Sequence, residues 1–490
     1  MKLLRKTAAI LIIGALLMLT VSPLAAFASE TVPYSSYTYD SYGNAVGIAD
    51  IYEPSAVLYG SDFGLTTMVN PTDIFVSKSG LVYILDSGFG RVIILDSQYK
   101  KKEIIENFKL NGEDSPLSDP GGIFIDAEEN ILIADTGNNR VIKTGADGVI
   151  DAEILKPESE YFKDDVEFIP EKIIADRAGN MYVKCRNVYQ GAVLFDSAMR
   201  FEGFFGSEKV VATARVLQDF FWKQFMTEEQ KAEMSKYVPT EITNFDISPD
   251  DFIYSISPAQ QIPWQNMKTE MDGIRRLNPK ASDTMVNKMS KKAYEAMEQD
   301  ARKLNFVDLA YDSEGYLNIL DNRMGKIYHF DRNMQLISAF GALGGYKGTF
   351  TAPEAIAVSG SDILVLDKMK ASVTVFSQTE TGKNVHEALA LYNEGRYEQA
   401  IVPWEKVLED NPNFELAYTG IGSALYNKQQ YREAMDYFKK GRDSTRYSEA
   451  FREYRIELMR VNLVYIFIAA GLLILLFFAG RHFKRKGRSK

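Results

Sequence analysis

The chain has 490 residues, of which 66 are acidic and 56 are basic, so its formal net charge at pH 7 is −10. A surface with such an excess of carboxylates repels the phosphate backbone, which argues against DNA or RNA as a partner. Cys185 is the single cysteine, so an internal disulfide framework is excluded and stability must come from a packed core.

Residues 1–28 have the pattern of a secretory signal peptide. Three basic residues precede an apolar run, and the sequence "AFA" at 26–28 provides the small residues of a cleavage site. We therefore expect the rest of the chain to be exported, beginning with a linker at residues 29–49. The alternative is an uncleaved N-terminal anchor.

A repeat of about 40–50 residues occupies residues 50–378. The sequence "ADTGNNRVI" begins at Ala134, and "LDSGFGRVI" stands 49 residues earlier, at Leu85. Each unit has short apolar strands separated by turns rich in Asp, Gly and Asn, and such a unit of three or four strands is typical of a propeller blade. Six units are recognisable, and they start near Pro71, Pro120, Pro170, Ile242, Phe306 and Ala352.

The motif of these units resembles that of the NHL-repeat family. Unit two carries it most fully, while Cys185 in unit three replaces the aspartate that ends the second strand. The matching residues of unit two are Ile123, Asp126, Ile131, Asp135, Asn139 and Arg140. The resemblance implies an all-β six-bladed propeller. The last unit lacks a fourth strand, and "SAVLYGSDFG" from Ser55 has the sequence of one, so we expect it to complete blade six and close the ring.

Two inserts interrupt the repeat, at about 207–240 and 258–305, and both have helical patterns. Both are expected to open on one face of the propeller. We predict that they form a lid over a ligand site around Phe221, Trp222 and Trp264. The alternative is that these aromatic side chains pack on the propeller rim.

Residues 385–460 contain a second repeat, whose period is 34 residues. Tyr397 and Tyr431 are 34 apart, and so are Ala400 and Ala434. This spacing of amphipathic helix pairs resembles the tetratricopeptide repeat. The resemblance implies a groove for a protein partner, and the residues predicted to bind there are Tyr392, Asn393, Tyr426 and Asn427. The alternative for the two tyrosines is packing between helices.

The C-terminal part predicts a single membrane-spanning helix. Residues 461–480 carry no charge and extend about 30 Å as a helix, the thickness of a bilayer core. The tail 481–490 is basic, so we expect it to be cytoplasmic and the preceding domains to be extracellular. Without the nine basic residues of the signal peptide and tail, the exported part has 47 basic and 66 acidic residues, a charge of about −19.

These features favour binding over catalysis, and no catalytic residue is assigned. The three histidines are far apart, and no HExxH, GxSxG or paired-cysteine motif is present. The leading hypothesis is an extracellular scaffold docking a protein at the membrane, such as a transporter, with no cofactor predicted. One alternative is a cell-surface glycan-binding protein, through Trp222 and Trp264. The other, implied by resemblance to gluconolactonases, is a calcium-dependent hydrolase or lyase, for which the candidate ligands are Asp73, Asp126, Asp176, Asp246 and Asp308.

Overall fold

The computed structural model describes residues 32–40, 43–162, 166–206, 242–257, 273–285 and 304–486. Six β-sheets within these ranges form the blades of a propeller, and a helical region follows them. In each sheet, consecutive strands pair in antiparallel fashion, and the first strand of every blade contacts the first strands of the two neighbouring blades. The contacts form a closed ring, so the predicted six-bladed propeller is confirmed.

Blades 1 to 3 each have four strands. Their second and third strands are largely buried on both faces, which explains their weak apolar–polar alternation. Counted from the channel outward, the strands are Pro71–Val76, Val82–Asp86, Arg91–Leu95 and Lys101–Ile105 in blade 1; Gly122–Ile125, Ile131–Asp135, Arg140–Thr144 and Val149–Ile154 in blade 2; and Pro170–Ala175, Met181–Cys185, Gly191–Phe195 and Phe201–Gly206 in blade 3.

Blades 4 to 6 complete the ring. Blade 4 has three strands in the described part of the chain. The strands are Asn244–Ile247, Ile253–Ile256 and Ile274–Leu277 in blade 4; Phe306–Tyr311, Leu317–Asp321, Lys326–Phe330 and Leu336–Phe340 in blade 5; and Pro353–Ser359, Asp362–Asp367 and Ser372–Gln378 in blade 6. The short strands Ala342–Leu343 and Thr349–Phe350 pair in parallel between blades 5 and 6.

The ring closes through a strand from the beginning of the propeller. Tyr52–Tyr59 pairs antiparallel with the third strand of blade 6, with Tyr52 opposite Gln378 and Tyr59 opposite Ser372. This is the closure expected from "SAVLYGSDFG". Because N- and C-terminal strands share one sheet, the last blade cannot separate without breaking that ladder.

The aspartate that ends a second strand explains the repeated sequence. Asp135 Oδ1 accepts the backbone N–H of Ser118 (2.8 Å), and Oδ2 accepts from Arg140 Nε (2.9 Å). The carboxylate therefore ties the segment that enters the blade to the strand that leaves the turn. Asn139 closes this turn with a left-handed φ of 54°. Equivalent bonds join Asp86 to Val69 and Arg91, Asp321 to Asn305, and Asp367 to Thr351.

Blade 3 lacks that aspartate because Cys185 takes its place, as the sequence indicates. Cys185 is buried, and the neighbouring Arg186 N–H donates to the carbonyl of Ile169 at 2.9 Å. Blades 5 and 6 have the equivalent backbone bond, from Asn322 to Asn305 and from Lys368 to Ala352, in addition to the carboxylate bonds, so blade 3 keeps the backbone connection and lacks only the carboxylate.

Two predicted boundaries are corrected by the structure. Residues 29–49 were expected to be a linker, but Tyr37–Tyr39 and Ala45–Gly47 form a hairpin that extends blade 5 beyond its fourth strand. The predicted insert 258–305 contains the third strand of blade 4, Ile274–Leu277. A second short hairpin, Lys109–Leu110 with Glu113–Asp114, lies against the outer strand of blade 2.

The helical region consists of helices α1 (Glu380–Asn393), α2 (Tyr397–Asp410), α3 (Glu415–Asn427), α4 (Tyr431–Lys440) and α5 (Ser444–Lys486). Successive helices contact each other, and α1 also contacts α3, as stacked helical hairpins do. The ends of α1 and α3 are 34 residues apart, and so are the starts of α2 and α4.

Propeller and helices share one hydrophobic core. Thr379 directly follows the last strand of blade 6 and caps α1, with its side chain accepting the N–H of Gly382 at 3.0 Å. Gly382 lies so close to the backbone of Ile51 that a Cβ there would clash with its carbonyl oxygen. Tyr52 of blade 6 and Val385 of α1 belong to the same buried cluster, which continues to Trp404 in α2. The helical region is therefore docked on blades 5 and 6.

Helix α5 contains the predicted membrane span. Within the described residues, no single helix has the length and apolar composition to cross a membrane unaided. Ser444–Tyr465 and Phe467–Arg481 meet at a bend of 51° and satisfy both requirements only as a pair.

Candidate functional site

Charged side chains meet in the channel at the centre of the propeller. Three of the five candidate aspartates, Asp73, Asp246 and Asp308, lie on the first strands of blades 1, 4 and 5. Lys172, on the first strand of blade 3, donates from Nζ to both carboxylate oxygens of Asp73, at 2.7 and 2.8 Å. Its Nζ lies 4.0 Å from Asp308 Oδ1. The structure thus brings together three residues that the sequence nominated and one that it did not.

The other two candidates, Asp126 and Asp176, lie in turns instead. Asp126 Oδ1 accepts the backbone N–H groups of Glu128 and Asn130, and Asp176 does the same for the turn of blade 3. A side chain that satisfies two backbone donors of its own turn has a local structural role.

The channel carboxylates also join neighbouring blades. Each accepts a backbone N–H from another blade through its Oδ2 atom, and these bonds are short and charge-assisted. The donors are Ile123 to Asp73 (2.8 Å), Tyr311 to Asp246 (2.8 Å) and Ile356 to Asp308 (2.7 Å). The bonds connect blade 1 to 2, blade 4 to 5 and blade 5 to 6.

Burial and neighbouring charges shift the pKa values of this cluster in opposite directions. Burial raises the pKa of Asp246 to about 6 and that of Asp308 to about 7. Burial alone would lower the pKa of Lys172, but the carboxylates of Asp73 and Asp308 outweigh it and raise this pKa above its ordinary value. The ammonium of Lys172 is therefore held in its charged form between carboxyl groups.

The donor set of the channel does not fit calcium. Calcium takes six to eight oxygen ligands. Both carboxylate oxygens of Asp73 already accept from Lys172, and the Oδ2 atoms of Asp246 and Asp308 accept backbone N–H groups. Among the described residues, no group of three or more His, Cys, Asp or Glu side chains is arranged to hold a metal ion. The described channel residues therefore do not supply the ligands of the calcium site that the alternative hypothesis requires.

The predicted partner-binding residues lie at the ends of α1 and α3. Asn393 and Asn427 are exposed and occupy equivalent positions in the two hairpins. Asn427 Nδ2 donates to Tyr392 Oη (3.0 Å), which links α3 to α1. Tyr392 and Tyr426 are half-buried, and their rings pack at 5.3 and 5.4 Å against Tyr397 and Tyr431 respectively. Asn393 is thus the most available of the four side chains, and the tyrosines have packing partners within their own hairpins.

A groove that the sequence did not reveal lies on the outer side of blade 6. It encloses about 400 Å³ between the closing strand and the connection from blade 5. Tyr59 and Tyr346 line it and are 46% and 76% exposed. Lys370 Nζ, also in the lining, donates to the carbonyl of Thr349 at 2.7 Å. The groove combines aromatic rings with hydroxyl and ammonium groups, but its residues come from three separate segments.

The predicted ligand-binding residues Phe221, Trp222 and Trp264 lie outside the described residues, as do the signal peptide and most of both predicted inserts.

Comparisons with known proteins return no matching family model and no matching curated protein. Solved structures with similar folds include a streptogramin B lyase, 12% identical over 68% of this chain and 100% of that one, with a TM-score of 0.41. Virginiamycin B lyase from Staphylococcus aureus is 12% identical over 66% and 99% of the two chains, with a TM-score of 0.40.

A third structure is described as the extracellular domain of a one component system from B. thetaiotaomicron. It is 12% identical over 70% of this chain and 42% of that one, with a TM-score of 0.38. At 12% identity these similarities say nothing about a reaction or a ligand of this chain. The six-bladed fold is established by the strand pairing.

Proposed function

We propose that this protein is a noncatalytic extracellular scaffold tethered to a membrane, with a propeller that binds a ligand or protein and helical repeats that dock a partner. The observation that carries this proposal is the shared core of Tyr52, Val385 and Trp404, which fixes the helical region against blades 5 and 6. Two modules docked through a common core present their surfaces in a constant relation, which is what a scaffold requires.

The proposal assigns the blades to the NHL type and the helices to the tetratricopeptide type. The aspartate and arginine of the blade motif, with their repeated bonds, support the first assignment. The 34-residue spacing of helix ends supports the second. The partner is a protein at the membrane, for which a transporter is the leading example, and it contacts the surface around Asn393 and Asn427.

Membrane attachment is proposed through the apolar part of α5. Leu473 and Phe477 are 67% and 63% exposed, and their neighbours are similarly exposed. A helix surface so apolar is unfavourable in water and stable in hydrocarbon. With the basic tail on the cytoplasmic side, the propeller and helical repeats lie outside the cell.

Crosslinking in membranes, followed by pull-down of the full chain, tests the scaffold. We expect a discrete partner in the wild type and its loss in an Asn393→Ala/Asn427→Ala variant. The matched control is Glu405→Ala, an exposed position on α2. Recovery of the protein alone in every crosslinking condition, or equal capture by both variants, would contradict the proposal.

A second candidate function is glycan binding, favoured by the groove of blade 6. Exposed tyrosine rings stack on the C–H faces of sugars, and Lys370 and Ser55 supply polar groups beside them. On a glycan array, Tyr346→Ala should abolish binding. Tyr161→Ala, which removes a 63% exposed tyrosine elsewhere on the propeller, should not. Absence of any bound glycan with the wild type would remove this candidate.

A further inference from the structure

A pair of histidines connects the propeller to the helical region. His329 lies on the third strand of blade 5, and His386 lies on α1. Their Nε2 atoms are 2.9 Å apart, and their ring planes are within 7° of parallel. His329 is fully buried and His386 is nearly so. The contact is therefore a hydrogen bond between two imidazoles across the junction of the modules.

The outer nitrogens of the pair have partners as well. His329 Nδ1 lies 2.7 Å from Asn318 Oδ1, and His386 Nδ1 lies 2.9 Å from Gln378 Nε2. Tyr316 stacks on His386, with ring centroids 4.1 Å apart, and Tyr52 contacts both rings edge-on. The pair is thus enclosed by blade 5, blade 6 and α1.

Counting hydrogens sets a limit on the charge of this pair. The 2.9 Å gap between the Nε2 atoms holds one hydrogen, whichever ring donates it. Each Nδ1 atom holds at most one more. The docked pair therefore carries at most three hydrogens and one positive charge, whereas two separated imidazoles carry four hydrogens and two charges when fully protonated.

We propose that His329 and His386 form a proton-sensitive latch, which holds the helical region on the propeller at neutral pH and weakens as acid drives a second charge onto the pair. Undocking separates the rings and lets both take up a proton. This inference concerns the junction itself and holds whatever partner the protein binds.

The direction of the effect follows from the burial of His329. Burial, reinforced by the neighbouring His386, lowers the pKa of His329 well below its ordinary value of 6.5. Below pH 6.5 the undocked ring binds a proton that the docked ring does not bind. Docking of the helical region is thus fully stable above pH 6.5. Below that value the equilibrium constant for docking falls by up to tenfold for each pH unit.

Charged groups around the pair modify this dependence. Glu314, in the turn of blade 5, has its Oε2 atom 3.7 Å from His386 Nδ1. Its carboxylate stabilises a first positive charge on the histidine pair, and the contact with His386 lowers the pKa of Glu314. Asp312 in the same turn has its pKa raised by burial to about 6. The carboxylate of Asp312 takes up a proton in the docked state. Below pH 6 this protonation stabilises docking, so it opposes the destabilising effect of the histidines. Burial also raises the pKa of Asp331, which faces Arg446 of α5, and Arg332 faces Glu314.

An Asp312→Asn variant isolates the latch, because an amide oxygen can still accept the backbone N–H groups of Glu314 and Tyr316. The readout is hydrogen exchange of residues 380–393 in the full chain in detergent, corrected for the intrinsic effect of pH, with residues 415–427 as the internal reference. We expect exchange to accelerate about fivefold from pH 6.5 to 5.5 in this variant, because the undocked ring is already half protonated at pH 6.5. The wild type should accelerate less, because Asp312 titrates.

The controls separate the pair from general acid effects. His329→Gln combined with Asp312→Asn should show no acceleration, because the buried ring that takes up the proton is gone, and His482→Gln should behave as the wild type. Unchanged exchange in Asp312→Asn, or the same acceleration after removal of His329, would overturn the latch. If the double variant does not fold, imidazole NMR of Asp312→Asn decides: full protonation of both histidines while residues 380–393 remain protected would contradict it.

Discussion

The carboxylate of Asp135 shows why one residue type recurs at one place in the blades. It is fully buried and accepts from the Arg140 guanidinium, whose Nη1 also reaches Glu153 of the outer strand at 3.1 Å. The Asp135–Arg140 pair thus connects the entry segment with the second, third and fourth strands. Loss of Asp135 leaves the buried guanidinium of Arg140 without its buried counter-charge, with only the partly exposed Glu153 beside it.

Asp135→Ala should therefore destabilise the propeller by about 3–5 kcal/mol, measured by urea unfolding. The double variant Asp135→Ala/Arg140→Met removes both charges and should recover a large part of that loss. Equal stability of the wild type and Asp135→Ala would mean that the repeated aspartate does not stabilise the blade.

Lys172 provides the second prediction at this scale, and its effect depends on pH. The raised pKa values of Asp246 and Asp308 mean that the native state binds more protons than the unfolded state between about pH 4 and 7. Stability from these two groups therefore falls as pH rises through that window, and Lys172 offsets the loss by compensating their charge.

Lys172→Met removes this compensation. We expect a loss of about 3 kcal/mol at pH 8, where the carboxyl groups are ionised, and a loss smaller by at least ~1 kcal/mol at pH 5, where Asp246 and Asp308 are protonated. Urea unfolding of wild type and variant at both pH values measures the difference. Identical losses at pH 5 and pH 8 would show that Lys172 does not compensate the charges of Asp246 and Asp308.

At the scale of elements, local sequence patterns predict most blades because the residues of each turn are typical of turns. An Asp at the start of a turn and a Gly or Asn inside it are read from a few adjacent residues. The third strand of blade 4 was missed because Arg275 and Arg276 interrupt its apolar run. Arg275 is nevertheless buried, and its Nη2 donates to the carbonyl of Gly206, 69 residues away. A bond to so distant a residue has no local signature.

The same reason applies to the N-terminal hairpin and to the channel. Thr38 Oγ1 donates to the carbonyl of Leu336, a partner 298 residues away, and the hairpin strands have only three residues each. Channel aspartates could be nominated because first strands line a propeller channel. Lys172 could not, since its partner Asp73 lies 99 residues earlier. The histidine pair likewise becomes visible only when α1 is docked.

Two deletions distinguish the N-terminal hairpin, Tyr37–Tyr39 with Ala45–Gly47, from the strand Tyr52–Tyr59 that closes the ring. Removal of residues 32–49 uncovers the edge of blade 5, whereas removal of residues 32–59 also opens the ring at blade 6. We expect the first variant to remain folded with lowered stability, and the second to aggregate through its open edges. Size-exclusion chromatography and circular dichroism compare them. Two equally monodisperse, β-rich variants would mean that Tyr52–Tyr59 is not needed for closure.

At the scale of the whole molecule, the chain joins a charged β-rich part to an apolar helix through a docked helical region. The third strand of blade 6 continues almost directly into α1, and the hairpins continue into α5. The distance between the propeller and the apolar part of α5 is therefore set by packed helices, which would keep the acidic propeller near the membrane surface if α5 is the anchor.

Anchoring by α5 is tested with two truncations of the full chain. Removal of residues 461–490 takes away the uncharged segment, and we expect most of the protein to move from the membrane pellet to the supernatant. Removal of residues 483–490 leaves that segment intact and should leave the protein in the pellet, because attachment rests on about 20 apolar residues in hydrocarbon and not on the basic tail. In the proposed topology the basic tail sets the orientation, so its loss should instead change how much of the propeller is accessible to protease on intact cells. Retention of the longer truncation in the pellet after an alkaline wash would place the anchor elsewhere in the chain.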